Sequence, residues 1–264
     1  MPRARSVRGS RLAALILLAL AALALPLVSG AKTLEELIAD GDREYAAARL
    51  PDAQRAYAAA VQAAPASFEA LCRVSKAESE LGELQKGDEQ RRTRAAAAEH
   101  ARAAIKVAPD SAAGHVWLAV ALGRQALSEG PKAKLALSRE IKSEVDRAVA
   151  IDPAIGRAWH VLAVWNVKLS SLNAIERMAA NAVLGGVPKG ASNGNAEIAF
   201  RKAIALEPNY VNHRLEYGRF LRSLHRDADA RREYEKAISL PATSDALDAR
   251  YQAEARELLG KMGK

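Results

Sequence analysis

AYAAAVQAAP (56–65), ARAAIKVAP (101–109), EVDRAVAIDP (144–153) and AFRKAIALEP (199–208) all place an alanine five residues before a proline. A fifth stretch, REYEKAISLP (232–241), carries its alanine one place later. Proline lacks the N–H that a helix interior needs, so each stretch reads as the end of a helix. The prolines Pro65, Pro109, Pro153, Pro208 and Pro241 stand 44, 44, 55 and 33 residues apart. Spacings of that order mark a repeated helix pair, which cannot bury its apolar face alone and must stack on its neighbours. Between Lys32 and Lys264 no alternating apolar run is long enough for a strand, so the fold class expected is all-α.

The shortest spacing is close to the roughly 34-residue tetratricopeptide period. In that repeat small residues let two helices cross closely while bulky ones fill the space beside them. Counting back from Pro65 finds Leu37, Gly41, Ala53, Tyr57 and Ala60 in the required places. The last repeat supplies Tyr217, Gly218, Ala230, Tyr234 and Ala237, with Arg214 at a bulky position. The fourth offers Trp159, Leu162, Ala163, Phe200 and Ala203. The expectation is a right-handed superhelix of five helix pairs from about residue 33 to 262, closed by a capping helix over Asp245–Met262. Repeats two and three are stretched. The second contains a long helix through DEQRRTRAAAAEHARAAIKV, and the third restarts after Gly130 with Pro131 as its first helical residue. Repeat four holds an additional helix over Leu172–Leu184 and then a loop, GGVPKGASNGN.

Residues 1–31 read differently. Arg3, Arg5, Arg8 and Arg11 precede an uninterrupted apolar run from Leu12 to Val28, and Ser29-Gly30-Ala31 follows. That order is a secretory signal peptide with cleavage after Ala31. The alternative is an uncleaved membrane anchor over residues 12–28. The expected domains are therefore 1–31 as the signal and 32–264 as the repeat domain, in an exported, periplasmic protein. Removing four arginines and no acids lowers the formal charge from +8 to +4 over 233 residues. Charges of both signs then mix along the helices, which speaks against a nucleic-acid partner. The single cysteine, Cys72, can form no internal disulfide.

A second layer of pattern lies in the stretched repeats. Ser138-Arg139-Glu140-Ile141, then His160, Leu162 and Trp165, then Arg177, Gly186-Val187-Pro188-Lys189, and finally Phe200, Lys202 and Ala203 follow one another in order. This succession resembles the regulator of microtubule dynamics family over roughly residues 66 to 260. Ala163 replaces the family's glycine, and SNGN (192–195) replaces a helix-starting Thr and Glu, which implies a longer, more mobile loop. The resemblance implies a tetratricopeptide-like domain behind an N-terminal membrane or targeting segment. Animal members are associated with microtubules and organelle contact sites, and a member's repeat domain binds phospholipid. Microtubule binding does not carry over to an exported, bacterial-looking chain.

No constellation for catalysis or a cofactor stands out, so the chain reads as a non-enzyme. GGVPKG lacks the Gly-x-x-x-x-Gly-Lys-Ser/Thr spacing of a phosphate cradle. The five histidines are scattered without metal-ligand spacing, and Cys72 sits mid-helix. The better candidate is the inner, concave face of the superhelix. The repeat register assigns it Cys72, Arg73 and Lys76; Val116, Trp117 and Val120; His160, Val161 and Val164; and Leu215, Glu216 and Arg219. Position two of the first helices adds Glu69, Ala113, Arg157 and Asn212. The candidate groove is thus Arg73, Lys76, Val116, Trp117, Val120, His160, Val161, Val164 and Arg219. Its ligand would be a protein or peptide partner, or alternatively a phospholipid or other hydrophobic molecule lying on an apolar floor. A third reading has the inserted helix of repeat four filling the groove as core.

Overall fold

The computed structural model describes residues 32–262 apart from 184, 185, 242 and 244. The signal or anchor read over 1–31 lies outside the described residues. Among the described residues there are twelve helices and no strand. They are α1 (Leu34–Ala46), α2 (Leu50–Ala63), α3 (Phe68–Leu84), α4 (Gly87–Val107), α5 (Ala112–Ala126), α6 (Pro131–Ile151), α7 (Gly156–Ser170), α8 (Ala174–Val183), α9 (Asn193–Leu206), α10 (Val211–Ser223), α11 (Asp227–Ser239) and α12 (Asp248–Gly260). The helix pairs are α1–α2, α3–α4, α5–α6, α7–α9 and α10–α11, with α8 inserted in the fourth and α12 closing the stack. This is an all-α tetratricopeptide-like superhelix.

The four matching prolines end their helices by one mechanism. The residue before a proline is driven out of the α region by the ring. Accordingly Ala64, Ala108, Asp152 and Glu207 have φ between −127° and −141° and ψ between 70° and 98°. Each N–H still bonds back to the alanine of the motif, to the carbonyls of Ala60, Ala104, Ala148 and Ala203. Leu240, before the fifth proline, differs, with φ −64° and ψ 145°. The chain after it therefore leaves its helix along another path.

Within the first and last repeats the crossing is set by a glycine against a tyrosine. A Cβ on Gly41 would lie 2.3 Å from the Tyr57 ring, and one on Gly218 would lie 2.5 Å from the Tyr234 ring. Only glycine allows so close an approach. Ala53, Ala60, Ala230 and Ala237, from the same pattern, are fully buried. Arg214 keeps its bulky position by pairing with Glu233 at 2.9 Å. At the start, Thr33 and Glu36 form a reciprocal capping box for α1, satisfying two N–H groups that the first turn leaves free.

Three boundaries differ from the sequence reading. The inserted helix is Ala174–Val183, and Asn173 caps it by accepting from the Glu176 N–H. The loop after it is shorter than expected: Ser192 accepts from the Asn195 N–H at 3.1 Å, so Asn193-Gly194-Asn195 is the first turn of α9. A serine supplies the cap for which the family pattern suggested a threonine. The last helix begins at Asp248 rather than Asp245, because Asp245 accepts the Leu247 N–H and Thr243 bonds Asp248, and Ala246-Leu247 form a turn before it.

Candidate functional site

The turn before α12 decides what the inner face looks like. It carries the chain from α11 back towards the opposite end of the superhelix, where α12 meets α3. Arg250 donates to the Glu83 carbonyl at 3.0 Å, and Tyr251 Oη donates to Glu83 Oε1 at 3.2 Å. Glu83 also pairs with Arg124 of α5. Asp245 faces Arg157 of α7 at 3.5 Å. Leu247, Tyr251 and Ala255 share one apolar cluster with Tyr45, Val74 and Ala77 of the first two repeats. The inserted helix does not fill this face. Its Arg177 is tied to the carbonyls of Leu169 and Leu172 at the end of α7, and Ile175 and Met178 point to solvent.

Beside the turn an open cleft of about 270 Å³ remains, lined by Lys76, Arg157, Glu207, Pro208, Asn209, Tyr210, Thr243 and Asp245. Trp117 stands next to it. The Arg157 guanidinium lies 5.3 Å from the Trp117 ring centre and 4.2 Å from that of Tyr210. Lys76 Nζ lies 5.9 Å from Trp117 and 4.0 Å from Tyr45. Cations over aromatic faces are held by the ring quadrupole, an attraction that grows as water is removed.

The acids around the cleft are engaged elsewhere. Glu80 accepts from Tyr45 Oη at 2.6 Å, and burial, helped by the Asp245 charge, raises its carboxyl to about 7. Glu207 accepts the Arg157 backbone N–H at 3.0 Å and faces His213 Nε2 at 3.2 Å. His213 and His160 meet Nδ1 to Nδ1 at 3.1 Å. Burial lowers both imidazoles, and neutral rings can share one proton in that contact.

The structure brings Lys76 and Trp117 together with Arg157, which the register had placed only as a position-two residue. Arg73 and Arg219 lie elsewhere: the first pairs with Asp42 and with Glu69 at 3.0 Å, the second with Glu216 and Glu254. Val116 and His160 are buried in the wall, and Val120, Val161 and Val164 are half-buried against it. Sequence reasoning missed Tyr45, Glu80, Tyr210 and Asp245. The helix-capping place of Tyr210 and the one-residue shift before Pro241 were the available signals.

The residues of the stretched repeats perform a distinct task. Trp165, 5% exposed, donates its indole N–H to the Ser138 carbonyl at 2.8 Å, and Arg139 reaches the Gly186 carbonyl at 2.7 Å. Glu140 pairs with Arg102 at 2.9 Å. Trp165 thus joins α7 to α6 and Glu140 joins α6 to α4, while Arg177 ties α8 to the end of α7 and Arg139 ties Gly186 to α6.

The fold is that of the tetratricopeptide-repeat class, stacked helix pairs with a concave inner face. Among solved structures, a thermophilic tetratricopeptide protein from Thermus thermophilus superposes with a TM-score of 0.61 at 19% identity, covering 85% of this chain and all of that one. The family model described as regulator of microtubule dynamics protein 1-3 matches residues 32–263, and the chain belongs to that family. Regulator of microtubule dynamics protein 3 of Rattus norvegicus is 30% identical over 196 residues, 74% of this chain and 41% of that protein. Regulator of microtubule dynamics protein 1 of Caenorhabditis elegans is 26% identical over 182 residues, 69% of this chain and 80% of that protein. The chain thus spans about two fifths of the rat relative. Among the described residues no helix is long and apolar enough to cross a membrane.

Proposed function

We propose that this chain is an exported, non-catalytic scaffold that binds a segment of a protein partner on its inner face, at the cleft beside Trp117. The observation that carries the reading is Trp117 itself, half-buried and flanked by Lys76 and Arg157 next to an open cleft. Indole buries a large area at little entropic cost, which is why tryptophan and arginine are enriched in binding hot spots. The cleft is small and its lining includes charged groups, which favours a peptide side chain over an acyl chain. Export rests on the Arg3-to-Ala31 pattern, and the non-catalytic reading on the absence of a catalytic constellation in the sequence.

The test is affinity capture with the wild-type protein and with Trp117→Ala, alongside melting curves. A defined partner should be lost from the variant, weakened by roughly 2 kcal/mol or more, with helical content unchanged. A sharp fall in melting temperature without a specific binding loss would make Trp117 a core residue and end the groove reading. Native mass spectrometry without detergent separates the ligand classes: a co-purifying lipid mass would replace the protein partner by a hydrophobic ligand. For export, a mature N-terminus at Lys32 in a periplasmic fraction is the expected result, whereas the full-length chain in the membrane would establish the anchor.

A further inference from the structure

We infer that the cleft is a carboxylate-recognition site, and that the segment bound there carries an acidic group reaching Lys76 and Arg157. This rests on the inner-face reading above and names the chemistry of its ligand. The argument is a count of charges and partners. Two cations, Lys76 and Arg157, and two acids, Glu207 and Asp245, line the cleft. Arg157 meets one carboxylate, Asp245, at 3.5 Å, too long for a good charge-assisted bond. Lys76 has no carboxylate within ion-pair distance among the described residues, and its near neighbours are the faces of Tyr45 and Trp117. Burial accordingly lowers the Lys76 ammonium from its ordinary value. Glu80 and Asp245 act on it only from beyond ion-pair distance, and a half-buried ammonium with no carboxylate in contact is costly, so a ligand that supplies one gains binding energy.

The neighbouring acids do not fill that role. Glu80 is held by Tyr45 and retains its proton up to about neutral pH. Glu207 caps the start of α7 through the Arg157 N–H and faces His213. Glu83 belongs to Arg124 and Tyr251, and Asp245 also accepts the Leu247 N–H at 3.2 Å. The chain's own turn supplies the template: a non-helical stretch that lays one aspartate against Arg157 and leaves space beside it for a second carboxylate. The aromatic rings of Trp117, Tyr45 and Tyr210 set both cations, so the site is built before the ligand arrives.

The experiment retains synthetic eight-residue peptides on the immobilised protein. One library has a central Asp or Glu with blocked ends. The second has Asn or Gln there, and the third carries a free C-terminal carboxylate as its only acid. The expected result is retention of the first or third set at least about tenfold above the amide set, as expected for a hydrogen bond to a charged group. Which of the two is retained tells whether a side chain or a terminus supplies the carboxylate. Lys76→Gln and the stem-preserving Lys76→Met should abolish the preference, and Lys76→Arg should keep most of it. Equal retention of acidic and amide peptides, or a preference that survives both Lys76 variants, overturns the carboxylate site. If those peptides are still lost with Trp117→Ala, the inner face remains a peptide groove. Failure of every set to bind ends both readings, and the acid preference of the wild-type protein decides the matter even if a Lys76 variant does not fold.

Discussion

The first and last repeats and the inner face of the middle repeats are built on opposite principles. In the former, Gly41 meets Tyr57 and Gly218 meets Tyr234, with alanines at full burial around them and apolar contact as the main cohesion. In the latter, aromatic rings hold cations, burial raises the Glu80 carboxyl to about 7, and two buried imidazoles meet Nδ1 to Nδ1. Stacked helix pairs need the first kind of contact, because without it they bury nothing. Nothing in the stacking asks for half-buried lysine and arginine over tryptophan. The difference separates the residues that make the superhelix from those available to do something with it.

The largest effect expected on the stacking side comes from Tyr234→Ala. This side chain is fully buried, and truncating it leaves a cavity against Gly218, costing about 3–5 kcal/mol in urea unfolding. Gly218→Val should cost about 1–3 kcal/mol from the other side of the same contact, by overpacking. Either variant unfolding near the wild-type midpoint would show that the crossing is not set by that pair.

The inner face should respond to pH instead. Burial raises Glu80 to about 7, above the ordinary carboxylate value of the unfolded chain. Between those two values the folded state keeps a proton that the unfolded state has lost, so this group makes stability fall as pH rises towards 7. His160 and His213 are lowered and act in the opposite sense, so the variant must be compared with wild type at each pH. Glu80→Gln should unfold like wild type near pH 4.5 and become the more stable of the two by pH 8. A difference that does not change with pH would contradict the protonated carboxyl.

The smallest expected effects compare the two tyrosines directly. Tyr57 Oη donates to Asp42 at 2.6 Å, so Tyr57→Phe should cost about 0.5–1.5 kcal/mol. Tyr234 Oη is buried with no partner among the described residues, so Tyr234→Phe should be neutral or slightly stabilising. Equal losses in both would mean that the last repeat hides a hydrogen bond.

Much of the stacking was legible in the sequence because a repeat states its rule several times. Gly41 and Gly218, or Ala60 and Ala237, are the same requirement met twice, and the prolines mark where each unit ends. The inner face follows no such rule. Lys76 and Trp117 could be placed on it by register, yet their meeting with Arg157 depends on how far the superhelix curls. Asp245 and Tyr251 come from a single, unrepeated segment, and their contacts with Arg157 and Glu83 span 88 and 168 residues. No periodicity encodes such a contact. The shift before Pro241 was the local sign that the last unit ends differently.

The central claim is that this C-terminal segment crosses back to α3 and narrows the inner face beside the cleft at Arg157. Arg250 is exposed and reaches the end of α3, so it tolerates replacement by a photo-crosslinking benzoylphenylalanine. On irradiation, mass spectrometry of the digested protein should find position 250 joined to the segment around Glu83 within the same chain. Crosslinks confined to α10 and α11, with none to α3, would show an open superhelix and contradict the account.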